Sequence, residues 1–242
     1  MNTKPILFSN EMVQAILEGR KTQTRRTKGL ETISKNANSF IYDGLDESGD
    51  EGTENQHFFE VIEHNQKPIE KYVSVTSPYK IGDILWVRES FNEVLINSKD
   101  AFIYKADWEE ESIKYRWKPS IITQEIIYSF TEESIKFQWK PSIHMPKKAC
   151  RLFLKISNVR AERLKEISEN DAIAEGISRS GNLYFDYLRY VKELPREPFY
   201  RELNPKMSFM TLWCKINGVD SWESNPWVWV IDFERIEKPE NF

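Results

Sequence analysis

The stretch WVWVIDFERI, Trp227–Ile236, is the strongest strand candidate in the chain. Aromatic and β-branched residues dominate it, and such residues pack well on a pleated sheet. A second strong strand follows a turn in GDILWVRESF, Gly82–Phe91. Four weaker stretches also favour strands: Pro5–Phe8, Gln23–Thr27, Phe102–Ala106 and Leu152–Val159.

Helices are predicted between these strands. Ser9 or Asn10 can cap a helix that runs through Glu18, and Ser168 can cap a short helix that ends at Glu175 before a glycine. Spacing also predicts helices over two later ranges, Tyr184–Leu194 and Met207–Ile216. Strands joined by turns or single helices favour the α+β class, with a closed mixed sheet or small barrel and a few helices outside it.

Composition excludes several classes of protein. The chain has 242 residues, of which 40% are hydrophobic and 30% charged, and this balance argues against wholesale disorder. The longest apolar stretch, around Trp227–Ile231, is far shorter than the ~20 residues of a membrane span, and no secretory signal is expected at the start. Cys150 and Cys214 are expected to be buried and reduced in a cytoplasmic protein. His57 and His64 lack a cysteine partner nearby, so we expect neither a zinc site nor a cofactor.

Charge is unevenly distributed along a chain whose net charge is −4. Residues 1–28 hold six basic and two acidic residues, residues 29–70 hold two basic and ten acidic, and residues 136–165 hold nine basic and one acidic. Two basic segments around an acidic insertion indicate either a nucleic-acid surface or lysines and arginines that coat exposed strands. The acidic segment reads as a surface excursion outside the core, with one hairpin around Phe40–Tyr42 and Phe58–Ile62.

A tandem repeat lies near the middle of the chain. EESIKYRWKPSI at residues 110–121 recurs as EESIKFQWKPSI at residues 132–143. Two copies are too few for a solenoid, so the repeat predicts one lengthened loop or hairpin. Each copy carries a Trp-Lys-Pro unit, whose tryptophan can stack a base or cap the core at a strand end.

The segment GRKTQTRR, Gly19–Arg26, is the densest candidate for chemistry. It lies where a helix gives way to a strand, a position that often carries function. Four cations within seven residues repel one another unless they are solvated or face anions such as phosphates. An extended Gln23–Thr27 would place Thr22, Thr24 and Arg26 on one face and the intervening residues on the other. A solvated basic turn is the alternative interpretation.

These residues also carry a resemblance. ILEGRKTQTRR (Ile16–Arg26), YKIGDILWVRE (Tyr79–Glu89) and ISENDAIAEGI (Ile167–Ile177) together resemble the ASCH domain of the PUA-like superfamily. The segments Trp139–Ile156 and Ser221–Ile236 resemble the longer ASCH proteins of phages and prophages. The resemblance implies a single domain over residues 1–242, with insertions at about 29–70, 107–131 and 178–220.

The resemblance also implies a fold, a partner and a site. The fold would be a PUA-like small mixed β-barrel with surrounding helices, and the partner would be RNA or a modified nucleoside. Compact members of the family are N4-acetylcytidine amidohydrolases that use a lysine, a threonine and a glutamate. These residues correspond here to Lys21 as activator, Thr24 as nucleophile and Glu175 as the group that orients Lys21 or handles the proton.

Three functional hypotheses follow. The first is binding of nucleic acid or an unstacked base in a basic cleft, with Arg25 at the pocket mouth. The predicted nucleic-acid contacts are Arg20, Arg25, Arg26, Trp86, Trp139, Lys140, Lys147 and Lys148. The second is an amidohydrolase that deacylates N4-acetylcytidine-type nucleosides. The third is a phage assembly or host-interaction protein whose basic surface meets another protein. The first two require segments near residues 20 and 175, far apart in the sequence, to meet in one cavity, and the presence of these matching segments counts against the third.

Overall fold

A computed structural model describes most of the chain. The described residues are 2–35, 39–45, 55–62, 68–96, 99–107, 139–190, 200–201 and 204–242. The first copy of the repeat, most of the second copy and His64 lie outside these ranges.

Five α-helices are described, joined in places by short 3₁₀ turns. They are α1 (Asn10–Leu17), α2 (Glu31–Lys35), α3 (Glu169–Ala174), α4 (Pro205–Asn217) and α5 (Val219–Glu223). The strands of the first half are β1 (Thr3–Leu7), β2 (Gln23–Arg26), β3 (Phe40–Leu45), β4 (Gln56–Ile62), β5 (Pro68–Thr76), β6 (Ile84–Arg88), β7 (Phe91–Ile96) and β8 (Lys99–Tyr104). Those of the second half are β9 (Phe153–Arg163), β10 (Arg179–Ser180), β11 (Leu183–Phe185), β12 (Tyr200–Arg201) and β13 (Trp227–Ile236).

The chain divides into two compact units. Unit 1 comprises Gly19–Asp83 and Lys155–Glu234, and unit 2 comprises Asn2–Glu18, Ile84–Leu154 and Arg235–Phe242. Both mix strands and helices, so the α+β class predicted from the sequence is confirmed. No helix in the described ranges is both long enough and apolar enough to cross a membrane.

Strand β13 forms the centre of unit 1. It lies between β9 and β2, and β2 pairs with it antiparallel, with Thr24 opposite Ile231 and Gln23 opposite Asp232. All residues from Trp227 to Ile231 are buried, which matches the apolar run that predicts this strand. Pairing with this buried strand therefore fixes the position of β2.

Part of the acidic segment packs into unit 1. Strands β3, β4 and β5 form an antiparallel sheet, which confirms the predicted hairpin. His57 and Phe59 on β4 are fully buried, with ring centroids 4.5 Å from Trp229 and 5.1 Å from Trp227 respectively. The expectation that residues 29–70 lie outside the core is wrong here, because alternate residues of β4 cover the aromatic face of β13.

Unit 2 is built around a smaller apolar core. Its β1 and β6 pair in parallel, and β7 pairs antiparallel with β8. The core gathers Ile84, Phe91, Met145, Ala149, Cys150 and Phe153. Both cysteines of the chain are buried thiols, as predicted.

The predicted barrel closure is wrong, since no sheet in the described ranges closes into a barrel. Among described strands, β1 pairs with β6 alone and β2 with β13 alone. The free edge of β2 meets the end of α3 instead of a strand, because the Thr22 amide donates to the carbonyl of Ala174 at 2.9 Å. In a closed barrel, another strand would pair with this edge of β2, whereas here the end of α3 lies against it.

The predicted helix over Tyr184–Leu194 is also wrong in its described part. The structure has β11 and then a 3₁₀ turn over Tyr187–Tyr190. Asp186 explains the difference, because its side chain accepts from the Leu188 amide and favours a turn over a helix. The neighbouring Tyr187 amide donates to the Thr211 hydroxyl on α4.

Candidate functional site

The alternation of β2 separates its side chains into two groups. Arg25 donates to the side chain of Gln23 at 2.7 Å, and Arg26 donates to the Thr24 hydroxyl at 2.9 Å. Residues two apart in a strand share a face, so these two contacts confirm the predicted division. Gln23, Thr24 and Arg25 are all buried, which excludes a solvated basic turn.

Glu175, at the C-terminal end of helix α3, lies beside this strand. Ser168 caps the helix by accepting from the Asp171 amide at 3.0 Å, as predicted, and Glu175 is the C-terminal cap residue. Gly176 then takes a φ of +84°, which glycine adopts without strain and which ends the helix. The backbone of Lys21 forms a β-bridge with that of Glu175, so the two segments lie side by side.

Lys21 and Glu175 form a buried ion pair. The Lys21 Nζ lies 2.7 Å from the Glu175 Oε2, and the two side chains are 0% and 3% exposed. Lys21 Nζ also donates to the carbonyls of Glu175 at 2.9 Å and Gln23 at 2.8 Å. The structure therefore brings together two of the three predicted catalytic residues, which are 154 residues apart in the sequence.

Burial and charge act on the Lys21 ammonium in opposite directions. Burial lowers its pKa, the Glu175 carboxylate raises it, and the positive charges of Arg26 and Arg25 lower it further. The net direction is downward from the ordinary lysine value. A lysine whose ammonium loses its proton more readily is suited to proton transfer.

The third predicted residue, Thr24, belongs to a different contact. Its hydroxyl accepts from Arg26 Nη1, and the same nitrogen donates to the carbonyl of Arg25 at 3.0 Å. Thr24 is 1% exposed, whereas Arg26 is half-buried. Burial raises the pKa of the Tyr79 hydroxyl, and the Arg26 guanidinium opposes that rise. Activation of Thr24 by Lys21 stays a prediction.

Arg25 occupies a place that differs from the expected pocket mouth. Its side chain is fully buried, and its Nη1 lies 3.0 Å from Glu175 Oε1. Nε donates to Glu162 Oε1 at 3.1 Å, and Nη2 contacts the same oxygen. The difference arises because β2 turns this side chain toward α3, where carboxylates surround it.

Five polar residues of this network were not predicted as site residues. The Gln23 amide donates to Asp171 at 2.9 Å and to Asp232 at 2.6 Å, and Arg160 contacts both aspartates and Glu162. The sequence shows Asp171 only as a capping residue and the other four, Gln23, Arg160, Glu162 and Asp232, only as polar strand positions. Nothing local distinguishes them from exposed strand residues, since their partners come from distant segments.

The remaining predicted nucleic-acid contacts are distributed over both units. Arg20 in unit 1 is exposed and donates to the carbonyl of Gly176 at 2.9 Å. In unit 2, Lys147 lies 4.1 Å from the centre of the Phe242 ring, Lys148 lies 5.5 Å from that of Phe102, and Lys140 pairs with Glu93 at 3.1 Å. Two half-buried tryptophans, Trp86 and Trp139, belong to the same unit.

Comparison with known proteins gives no family for the chain. No protein-family profile matches it. No curated protein and no solved structure matches it either. Within the described ranges, no group of three or more His, Cys, Asp or Glu side chains could hold a metal ion.

Proposed function

We propose that the chain binds nucleic acid or a modified nucleoside, with an unstacked base held by Arg26, which Thr24 orients. The observation that carries the proposal is the 2.7 Å contact between Lys21 and Glu175. It joins two of the three motifs that carry the ASCH resemblance, Ile16–Arg26 and Ile167–Ile177, at a position three residues before Thr24. The proposal includes membership of the ASCH group of the PUA-like superfamily and action in the cytoplasm of a bacterial host.

The chemistry of Arg26 suits recognition of a base. A guanidinium is a planar cation that donates to the acceptor edge of a base and stacks on its face. Because Thr24 accepts from Nη1, the guanidinium is held in one orientation before a ligand arrives. Proteins read bases through such edge hydrogen bonds once the base has left the helical stack.

The low exposure of Thr24 favours binding over hydrolysis. A nucleophile must reach the acyl carbon of the substrate. Thr24 is only 1% exposed, and its hydroxyl accepts a hydrogen bond from Arg26. Arg26 is half-buried and so presents part of its side chain to a ligand. In the binding function, Arg26 contacts the base and Thr24 orients Arg26.

Calorimetric titration with N4-acetylcytidine tests this proposal. Arg26→Gln removes a charged donor, and we expect affinity to fall by about 10- to 100-fold. Thr24→Val keeps the shape but removes the hydroxyl, and we expect a loss of roughly two- to tenfold. Thr22→Val and Lys28→Gln are the matched controls, because both residues are exposed neighbours on the same segment.

The controls should bind as the unmodified chain does. Equal affinity in Arg26→Gln and Lys28→Gln would contradict the proposal. Equal losses in Thr24→Val and Thr22→Val would show that the Thr24 hydroxyl has no special role.

A second candidate function, amidohydrolysis, is favoured by the downward direction of the Lys21 pKa. Thr24 Oγ would attack the acyl carbonyl carbon, and the bond from that carbon to the exocyclic nitrogen would break. The amine would leave with a proton, and water would cleave the Thr24 ester to release acetate. Lys21 would take the threonine proton, and nearby arginines would stabilise the oxyanion.

Incubation of the purified protein with N4-acetylcytidine separates the two functions. Nucleoside binding without acetate release supports the binding function alone. Acetate release that disappears in Thr24→Ala supports the amidohydrolase, and release unchanged in that variant contradicts Thr24 as nucleophile.

A further inference from the structure

Two residues of β2 have no part in the proposed contacts with a base. Gln23 and Arg25 lie on the strand face that meets α3, opposite to Thr24 and Arg26. Both are buried, at 3% exposure each. Burying an arginine costs free energy unless its donors are paired. The partners of Arg25 therefore indicate which group it stabilises.

Arg25 and Lys21 bind opposite oxygens of one carboxylate. Arg25 Nη1 lies 3.0 Å from Glu175 Oε1, and Lys21 Nζ lies 2.7 Å from Glu175 Oε2. A carboxylate held at one oxygen can still turn about its last side-chain bond, because that torsion is broad. Cations on both oxygens fix the plane of the carboxylate.

Arg25 is itself held by four neighbours, one of which is Asp171, whose Oδ2 lies 3.8 Å from the Arg25 Nη2. Its Nη1 donates to Gln23 Oε1 at 2.7 Å, its Nε donates to Glu162, and its guanidinium carbon lies 5.5 Å from the centre of the Phe209 ring. Gln23 is in turn fixed by its bonds to Asp171 and Asp232. The guanidinium therefore has one position relative to β2, β9 and α4.

The same two β2 residues anchor both ends of α3. Gln23 holds Asp171 in the first turn, and Arg25 holds Glu175 at the C-terminal cap. A helix of six residues gains little stability from its own hydrogen bonds, so its position depends on contacts such as these.

We infer that Arg25 is a positioning residue of the proposed site, which holds Glu175 so that its second oxygen faces Lys21. Gln23 supports it by holding the guanidinium. The inference rests on the proposed function only in treating this cluster as a binding site. The Lys21–Glu175 pair is thereby extended to a unit of four residues, Lys21, Gln23, Arg25 and Glu175.

The inference has a consequence for the charge state of Lys21. The charged groups that act on its ammonium are Glu175 from α3 and Arg25 and Arg26 from β2. Without Arg25, the ammonium loses a repelling charge, and Glu175 is no longer shared between two cations. Both changes favour the protonated lysine. Lys21 stays beside Glu175 without Arg25, because its Nζ also donates to the Glu175 carbonyl and the two backbones form a β-bridge.

Nuclear magnetic resonance of protein labelled with ¹³C-lysine tests this directly. The Cε shift of Lys21, assigned with Lys21→Arg, is followed against pH in the unmodified chain and in Arg25→Gln. We expect the midpoint to move to higher pH in Arg25→Gln. Arg160→Gln is the matched control, because Arg160 contacts Asp171, Glu162 and Asp232 in the same network. The Lys21 midpoint should be the same in Arg160→Gln as in the unmodified chain.

A midpoint that does not move in Arg25→Gln, or that moves equally in Arg160→Gln, overturns the inference. If Arg25→Gln does not fold, Arg25→Lys is measured instead. We expect the Lys21 midpoint to rise by a smaller amount in Arg25→Lys, because the positive charge is kept while the planar guanidinium donors are lost. Arg25→Lys should also restore part of any N4-acetylcytidine affinity lost in Arg25→Gln, whereas equal losses in both variants count against a role for the charge.

The titration uses no ligand and so separates this inference from the proposed function. A moved midpoint with no nucleoside binding leaves Arg25 as the positioning residue of Glu175 and refutes the proposed function. An unmoved midpoint with intact nucleoside binding refutes the inference alone.

Discussion

His57 shows how a single buried side chain in unit 1 depends on its protonation state. Its Nδ1 lies 2.8 Å from the Tyr42 hydroxyl, and its Nε2 is buried without a hydrogen-bond partner among the described residues. Burial lowers the pKa of His57 to about 4. An added proton would put a charge beside Trp229 with no acceptor for it.

The stability of the chain should therefore depend on His57 in a defined pH window. The unfolded histidine has a pKa near 6.5, so its contribution is complete above that pH and is lost as the pH falls to about 4. The loss amounts to roughly 3 kcal/mol at most, because each unit of difference is worth about 1.4 kcal/mol.

Urea unfolding at several pH values measures this contribution. As the pH falls from about 6.5 to about 4, the difference in free energy of unfolding between the unmodified chain and His57→Gln should shrink. His144→Gln, which changes an exposed histidine, should leave a constant difference. A constant difference for His57→Gln as well would refute the assignment.

At the scale of elements, Arg151 joins three segments of unit 2. Its guanidinium donates to both oxygens of Glu89 at 2.9 Å, and to both oxygens of Asp107 at 2.6 and 2.9 Å. Glu89 follows β6 and is fully buried, and burial raises its pKa while Arg151 opposes that rise. Among the described residues, Arg151 is the cation that pairs with this carboxylate, which is buried away from water.

Removal of Arg151 should cost far more than removal of an exposed partner. Arg151→Met leaves Glu89 buried without its cation, and we expect a loss of about 3–5 kcal/mol in the free energy of unfolding. Lys165→Met breaks the exposed pair with Glu223, whose nitrogen and oxygen are 2.8 Å apart, and should cost at most about 1 kcal/mol. Similar losses in urea unfolding of the two variants would contradict this account.

Local patterns predict elements well where the cause is local. The capping residues Ser9 and Ser168 act within one turn, and the apolar run of β13 is readable in any window of the sequence. The helix Met207–Ile216 is confirmed as part of α4 for the same reason. The helix over Tyr184–Leu194 is wrong in its described part for two reasons. The Asp186 side chain accepts from the Leu188 amide, and the Thr211 hydroxyl, from another element, accepts from the Tyr187 amide.

Long-range pairing explains why the sequence predicts only part of the site. The resemblance singles out Lys21 and Glu175 and predicts that their segments meet, as the contact between them confirms. Arg25 and Glu162 are separated by 137 residues, and charged residues in a strand are ordinarily exposed. Only the fold shows that Arg25 is turned inward.

At the scale of the whole molecule, the proposed site lies within unit 1. Lys21, Thr24, Arg25 and Arg26 come from one segment of that unit, and Glu175 comes from another. The chain is acidic overall, with a net charge of −4, yet residues 19–26 carry four cations and no acidic residue. Because Lys21 and Arg25 are buried and paired with carboxylates, a ligand held there should contact Arg26 rather than respond to the net charge.

Amide chemical shifts during a titration with N4-acetylcytidine test the central claim most directly. We predict that the amides of residues 21–26 and 174–177 shift together, with one dissociation constant, because the two segments form one site. In the same titration, Arg26→Gln should need about 10- to 100-fold more nucleoside to shift both sets. Shifts confined to unit 2, or no shifts in either segment, would contradict the account.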